Sequence, residues 1–239
     1  MNCFSHGFRF LDDAYFLVGT AVPDWLAMID RKVRVRERSA TKHLDASDPA
    51  LQQLASGIVQ HHREDALFHT GEEFVSMNLQ LALVLRNMLG DDAGFRPHFV
   101  AHIVIEMLLD SVVASQIPQS LDRYYHVIGQ VDPMAVQQCV NQIASQPTVN
   151  LAGFFPKFLQ EAYLYDYFED SGVLYRVNRI LRGVGLNPLP EFAVDWIAQA
   201  RDAVNSSSDL LLAPVLQAPS IQRLSSGTDE SHELRTPRA

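Results

Sequence analysis

In two stretches of this chain a histidine is followed four residues later by a carboxylate, and each pair extends into a longer row. The first is Gly57-Ile-Val-Gln-His61-His62-Arg63-Glu64-Asp65-Ala-Leu-Phe-His69, where His61, Asp65 and His69 recur at steps of four. The second, His98-Phe-Val-Ala-His102-Ile-Val-Ile-Glu106-Met-Leu-Leu-Asp110, spaces His98, His102, Glu106 and Asp110 in the same way. On a helix, residues four apart lie one above another with Cβ atoms about 5–6 Å apart. Each row can therefore present two or three ligands to one point. Facing a core, such rows destabilise the fold unless their imidazoles and carboxylates find partners, and a shared metal ion is a partner for all of them. The two rows predict a metal centre built between helices.

Two upstream residues join the candidates: His6 in Met1-Asn2-Cys3-Phe4-Ser5-His6, and Asp24 in Gly19-Thr-Ala-Val-Pro-Asp24-Trp25. With His61, Asp65, His102 and Glu106 they make three imidazoles and three carboxylates from four segments. Nitrogen and oxygen donors together suit zinc, manganese or iron better than calcium or magnesium. Six ligands exceed what one tetrahedral ion needs, so the set implies two ions, or one ion plus a catalytic base. Two ions roughly 3.5–4 Å apart are the usual clamp for in-line attack on a phosphodiester. Asp65 and Arg63 are the candidate catalytic groups, Arg63 for steadying non-bridging oxygens. Arg176, Arg179 and Arg182, three residues apart, are a second source of guanidinium forks that match phosphate geometry. His69, His98 and Asp110 are expected as extra ligands or as groups that orient ligands, and His43 and His126 as incidental.

The elements that must hold these groups read as helices. Leu51–His69 has a mixed helical pattern, and Glu72–Leu89 is clearer, with Phe74, Met77, Leu81, Val84, Leu85 and Met88 along one face and Gly90 as a stop. Arg96-Pro97 opens a helix from His98 to about Ser115 that is apolar nearly all round, the expected central helix. Ser120–Gly129, Pro133–Ser145, Gly153–Asp170, Val173–Val184 and Glu191–Asn205 are further candidates, separated by proline and glycine breakers. The fold class expected is all-α: one helical domain over 1–205, a bundle of roughly seven to nine helices with ligands on facing helices. Clustered Ser and Pro from Ser206 onward predict a flexible tail over 206–239. The stretch Arg31-Lys-Val-Arg-Val-Arg-Glu-Arg38 departs from the pattern: it alternates like a short strand or extended loop and is locally very basic.

The 239 residues carry a net charge of −9, which argues against general nucleic-acid binding by bulk charge. The two cysteines, Cys3 and Cys139, lie too far apart in sequence for a paired thiolate motif, so oxygen and nitrogen would hold any metal. Asp12 and Asp13 precede the apolar stretch Ala14–Val22, a poor signal peptide, and no run approaches the 18 or so apolar residues of a membrane span. A cytoplasmic location is the resulting expectation. The basic 31–38 segment follows Asp24 closely and could attract an anionic substrate or an acidic carrier protein.

The order and flanks of these motifs resemble the bacterial acyl carrier protein phosphodiesterases, helical relatives of the HD-type phosphohydrolases. Met1-Asn2 with His6, Gly19 to Asp24, and Gly57-Ile58-x-x-His61-x-x-x-Asp65 match that family's successive segments, and an apolar helix follows with two ligand positions four apart. Gly19-Thr-Ala-Val-Pro23-Asp24 is also similar to the Gly-x-x-x-Pro-Asp segment of the zinc-dependent phospholipase C family, which likewise spaces histidine and carboxylate by four on two helices. The resemblance spans roughly residues 1–115. The chain departs from it at Ala66-Leu67-Phe68-His69, where the family has Phe-Thr-Asp, and at His102 and Glu106, where the family has two acidic residues. The resemblance implies metal-dependent hydrolysis of a phosphoester, with His6, Asp24, His61, Asp65, His102 and Glu106 around one or two zinc or manganese ions, or iron. Two alternatives belong to other classes: an inactive helical metal-binding or interaction protein, and a di-iron carboxylate protein, although the Glu-x-x-His spacing usual in the latter is absent here.

Overall fold

A short helix, α1 (Cys3–Gly7), opens the described chain, which comprises residues 1–90 and 94–221 of a computed structural model. Helix α2 (Ala14–Ile29) starts at Asp13, whose carboxylate accepts from the Phe16 N–H and satisfies one of the free amides of the first turn. The basic stretch follows as extended chain. Val33 and Val35 are buried while Arg31, Lys32, Arg34, Arg36 and Arg38 are exposed, and the last of these already lies in α3 (Glu37–Ala40). After a 3-10 turn at Thr41–His43, Asp48 caps α4 (Pro49–Thr70) with proline at its first position. Gly71 ends α4 and begins α5 (Glu72–Leu89), so the chain doubles back within one residue.

Helix α6 (Pro97–Gln116) is the centre of the bundle, packed against α1, α5, α10, α11 and the 3-10 segment at 163–168. The remaining helices are α7 (Ser120–Ile128), α8 (Pro133–Ile143), α9 (Leu151–Glu161), α10 (Asp170–Gly183) and α11 (Ala193–Leu216). No strand occurs among the described residues, so the fold is all-α. By length and composition α6 could cross a membrane, contrary to the expectation that no segment comes near that limit. Sixty-one per cent of its apolar window, however, is buried inside the protein.

Two sequence boundaries move. The candidate helix Gly153–Asp170 is broken at Ala162, whose φ of 41° is left-handed, and Tyr163–Phe168 continues as 3-10 turns. This break lets Leu164 and Tyr167 both reach the core, with the Leu164 N–H donating to the Tyr125 hydroxyl. The tail expected from Ser206 is helical as far as Leu216. Ser206 and Ser208 bond back to the Asp202 and Asn205 carbonyls, and Leu211, Leu212, Val215 and Ile221 are buried. The part of that expectation covering 222–239 lies outside the described residues.

Helices α2 and α4 touch backbone to backbone. A Cβ added at Gly57 would lie 2.1 Å from the Phe16 carbonyl oxygen, and one added at Gly19 would lie 2.4 Å from the Leu54 carbonyl oxygen. Neither position tolerates a methyl group without separating the helices. Gly57→Ala is therefore expected to cost roughly 1–3 kcal/mol in urea unfolding. Gly153→Ala in α9, where an added Cβ meets nothing within 4 Å, should be neutral or slightly stabilising. Equal midpoints for the two variants would contradict the close crossing.

Candidate metal centre

The crossing places the carboxyl-terminal half of α2 beside the middle of α4, with α1 and α6 completing the enclosure. His6 (α1), Asp24 (α2), His61, Asp65 and His69 (α4), and His102 and Glu106 (α6) converge there in two groups. Ligand atoms of His6, His61 and Asp65 all lie within 4.8 Å of one another, and so do those of His69, His102 and Glu106. In the first group His6 Nε2 is 3.8 Å from Asp65 Oδ1, and His61 Nε2 is 4.0 Å from Asp24 Oδ1. These gaps are too long for hydrogen bonds. They are close to the separation of roughly 3.4 Å between donors bound at about 2.1 Å to one tetrahedral ion. In the second group Glu106 Oε1 is 3.0 Å from His69 Nε2 and 3.2 Å from His102 Nε2.

Asp65 joins the two groups. One oxygen faces His6, and the other is 3.3 Å from His69 Nδ1. The Met1 amino group also lies between them, 2.9 Å from Asp65 and 3.0 Å from Glu106. His6 and His61 form the sealed floor, whereas Asp24, Asp65, His69 and His102 are each about one-third exposed and form the open side.

Each ligand of the first group is held from behind. His61 Nδ1 donates to the Thr20 carbonyl oxygen at 2.8 Å, which leaves the Nε2 lone pair for the centre. His6 Nδ1 bonds the Glu64 carboxylate at 2.8 Å, and its Nε2, fully buried, has no hydrogen-bond partner. Cys3 Sγ donates to Asp24 Oδ2 at 3.5 Å. In the second group Phe74 packs edge-on against both His69 and His102, fixing ring planes that stack with centroids 4.6 Å apart. A buried imidazole nitrogen aimed at carboxylates with nothing to bond is the donor set a metal ion fits.

The electrostatics agree. Burial holds His61 well below its usual pKa, with His6 beside it adding to the effect, so it is neutral as a ligand must be. For His69 burial alone would lower the pKa, but Asp65 and Glu106 outweigh it and hold the ring protonated up to about 9. His6 is likewise raised against its burial by Asp65 and Glu64. The Met1 amine, which burial would depress, is held at about 10 by Glu106 and Asp65. Burial pushes Asp24 up to about 7. Asp65 and Glu106 go the other way: despite burial, the surrounding cations and imidazoles keep both well below the ordinary carboxylate range. The pocket thus concentrates negative charge that protons and an ammonium now balance.

No family model, no curated protein and no solved structure matches this chain. What the centre can do follows from its own donors.

The structure brings together the six residues expected from the sequence, with Asp24 beside His61 but in neither triplet, and of the three extra row members it brings His69. It does not bring Arg63, which lies two residues from both His61 and Asp65 and so about 200° round the helix from each. Arg63 is half-exposed and paired with Glu37 of α3. Asp110 points to α1 instead of the centre, and His98 is exposed at the start of α6. Arg176 and Arg179 are tied to Glu161, with Asp166 also binding Arg176. His62 Nε2 donates to the Val35 carbonyl at 2.7 Å and so pins the basic stretch beside His61. Three residues were missed: Glu64, Arg9 and Gln60. Gln60, Glu64 and Phe68 recur every four residues on the buried side of α4, but a Gln and a Glu in such a row read from the sequence as a solvated face; nothing in the sequence marks Arg9.

Metal binding is expected to release protons, because an ion would take the place of the proton that His69 keeps up to about pH 9. Since His69 loses its proton only near pH 9, affinity for zinc or manganese should rise with pH up to about that value. Calorimetric titration in two buffers of different ionisation enthalpy counts the protons; identical apparent enthalpies would contradict this.

Proposed function

We propose that this protein is a metal-dependent phosphoesterase, acting on a phosphodiester, with two divalent ions held on either side of Asp65. The observation that carries the reading is the convergence of two ligand triplets on either side of Asp65: its Oδ1 lies 3.8 Å from His6 Nε2, and its Oδ2 lies 3.3 Å from His69 Nδ1, behind the ring whose Nε2 meets Glu106. His6, Asp24, His61 and Asp65 would hold one ion; His69, His102 and Glu106 would hold the other, with Asp65 behind the His69 ring. The mixed imidazole and carboxylate donors favour zinc or manganese, with iron the next choice. Bound there, the ions supply a water acidified toward neutral pKa and positive charge for the phosphoryl oxygens.

The protein's own groups do the rest. Three carboxylates against two divalent ions leave about one net positive charge, suited to a monoanionic diester. The sealed floor of His6 and His61 excludes solvent from one side, so substrate enters between Asp24, Asp65, His69 and His102. With Arg63 turned away, the exposed cations anchored nearby are those of the 31–38 stretch, which His62 ties to α4. These suit an anionic substrate, free or borne on an acidic carrier protein. An all-α fold with ligands drawn in order from α1, α2, α4 and α6 supports a kinship with the HD-like acyl carrier protein phosphodiesterases or the zinc-dependent phospholipases C, and we include that kinship in the proposal.

Elemental analysis of protein purified without chelator, together with hydrolysis of bis(p-nitrophenyl) phosphate, tests the reading. Asp65→Ala should lose metal and lower the rate by roughly 10³-fold or more while keeping its helical circular dichroism. A metal-free folded parent, or an Asp65→Ala protein that hydrolyses at the parent rate, would overturn it.

The basic stretch carries a separate prediction. Lys32→Glu with Arg36→Glu should lower kcat/KM and flatten its dependence on salt, since steering is screened over roughly 8–10 Å at working ionic strength. Turnover at saturation should hold. Matching salt profiles for variant and parent would assign the stretch no role in substrate capture.

A further inference from the structure

Glu64 lies next to Asp65 in sequence but faces away from the centre, almost wholly buried. Both its oxygens are occupied. Oε2 accepts from His6 Nδ1 at 2.8 Å, while Oε1 accepts from the Arg9 guanidinium and from Gln60 Nε2 at 2.7 Å. Oε1 is filled by two donors and Oε2 bonds the far nitrogen of the His6 ring, the one opposite Nε2, so Glu64 stands behind a ligand. Gln60 in turn has its amide orientation fixed, because its Oε1 accepts the Ile221 backbone N–H at 2.8 Å and Nε2 must then face Glu64. A chain of bonds thus runs from Ile221 through Gln60 and Glu64 to the back of the His6 ring.

The geometry points to Glu64 as the positioning residue that makes His6 a ligand through Nε2. This rests on the metal-site reading above. The carboxylate fixes the His6 proton on Nδ1, sets the ring plane, and enriches the electron density of the imidazole. Carboxylates placed behind metal-bound histidines have this effect, and losing one weakens metal binding about 10–100-fold. Arg9 supplies the counter-charge that lets a carboxylate sit at this depth. In the second ligand group the carboxylate at the far ring nitrogen of His69 is Asp65, and Phe74 packs against both rings, so Glu64 touches neither of them. The two sites are therefore separable: only the ion held by His6 depends on Glu64.

Zinc titration against a competing chelator tests this with the full-length parent, Glu64→Gln and Glu64→Asp. Glu64→Gln keeps the shape and one acceptor but removes the charge. It should weaken one of two binding steps about 10–100-fold and leave the other unchanged, with Glu64→Asp recovering part of the loss. A merely structural role would lower the unfolding midpoint of Glu64→Gln without changing either step in the folded protein. Both steps at parental strength would overturn the proposal and leave the metal-site reading intact. A parent that binds no zinc would overturn that reading first. If Glu64→Gln does not fold, cadmium-113 substitution of the nitrogen-15-labelled parent gives the answer without mutation. Cadmium coupling to Nε2 of His6, with the proton on Nδ1, supports the assignment, and coupling to Nδ1 would overturn it.

Discussion

Most of this molecule's architecture depends on two glycines that let α2 and α4 meet without side chains between them. Gly19 sits against the Leu54 carbonyl, and Gly57 against that of Phe16. Ordinary helix pairs stand 8–10 Å apart at their axes according to the side chains between them; removing those side chains brings the backbones into contact. One consequence is that a histidine one turn beyond Gly57 can reach a main-chain carbonyl on the partner helix. His61 does so at Thr20, next to Gly19. The same approach brings Asp24, one turn after Thr20, to within 4.0 Å of the His61 ring. The glycines thus determine which atom of His61 faces inward.

The second constraint is charge. Asp24, Asp65 and Glu106 share a small space with four imidazoles, and a cluster of this composition would not persist if every acid were ionised and every histidine neutral. The Met1 amine, held at about 10, and His69, held protonated up to about 9, supply much of the balance, and Asp65 and Glu64 shift His6 in the same direction. These cations sit where divalent ions would act, so metal uptake exchanges one set of positive charges for another and need not rearrange the helices. His61 is the exception. Burial and its His6 neighbour hold its pKa well below the usual value, so it is the imidazole of the cluster already in the neutral form that a metal ion would need.

The parts that the sequence made legible were those governed by local periodicity. Glu72–Leu89 forms the helix its apolar face requires, with Gly90 just past its end. The two rows of ligands four apart lie on α4 and α6, because such a row is meaningful only on a helix. What could not be read depends on tertiary contact. The break at Ala162 follows from where Leu164 and Tyr167 find the core. The serines at 206–208 look like a linker by composition, yet the apolar residues beyond them continue the face of α11. Arg63 fits a phosphate clamp by type and neighbourhood, but its angular position on α4 sends it to Glu37. Glu64 reads as an ordinary surface charge until its burial is known. In the sequence Gly57 is only a letter of a motif; its close approach to Phe16 gives the physical reason for it.

Helix α6 shows how one apolar element can carry three charged or polar residues, each satisfied in a different way. Asp110 is the deepest. Its carboxylate takes the Ser5 N–H at 2.8 Å, the Phe4 N–H at 3.3 Å and the Ser5 hydroxyl at 2.6 Å. These are the free amides of the first turn of α1, the groups that most need an acceptor. One turn nearer the opening, Glu106 meets the second ligand group, and a further turn out His102 is partly exposed at the mouth. The row that suggested a run of equivalent ligands is therefore a gradient from structural anchor to reactive surface. Its inner end matters to its outer end, because Asp110 fixes α1 and α1 carries His6. A helix of only five residues would otherwise have little to hold it. The carboxylate that lies outside the His/Asp/Glu cluster is what allows the shortest helix around it to bring His6 there.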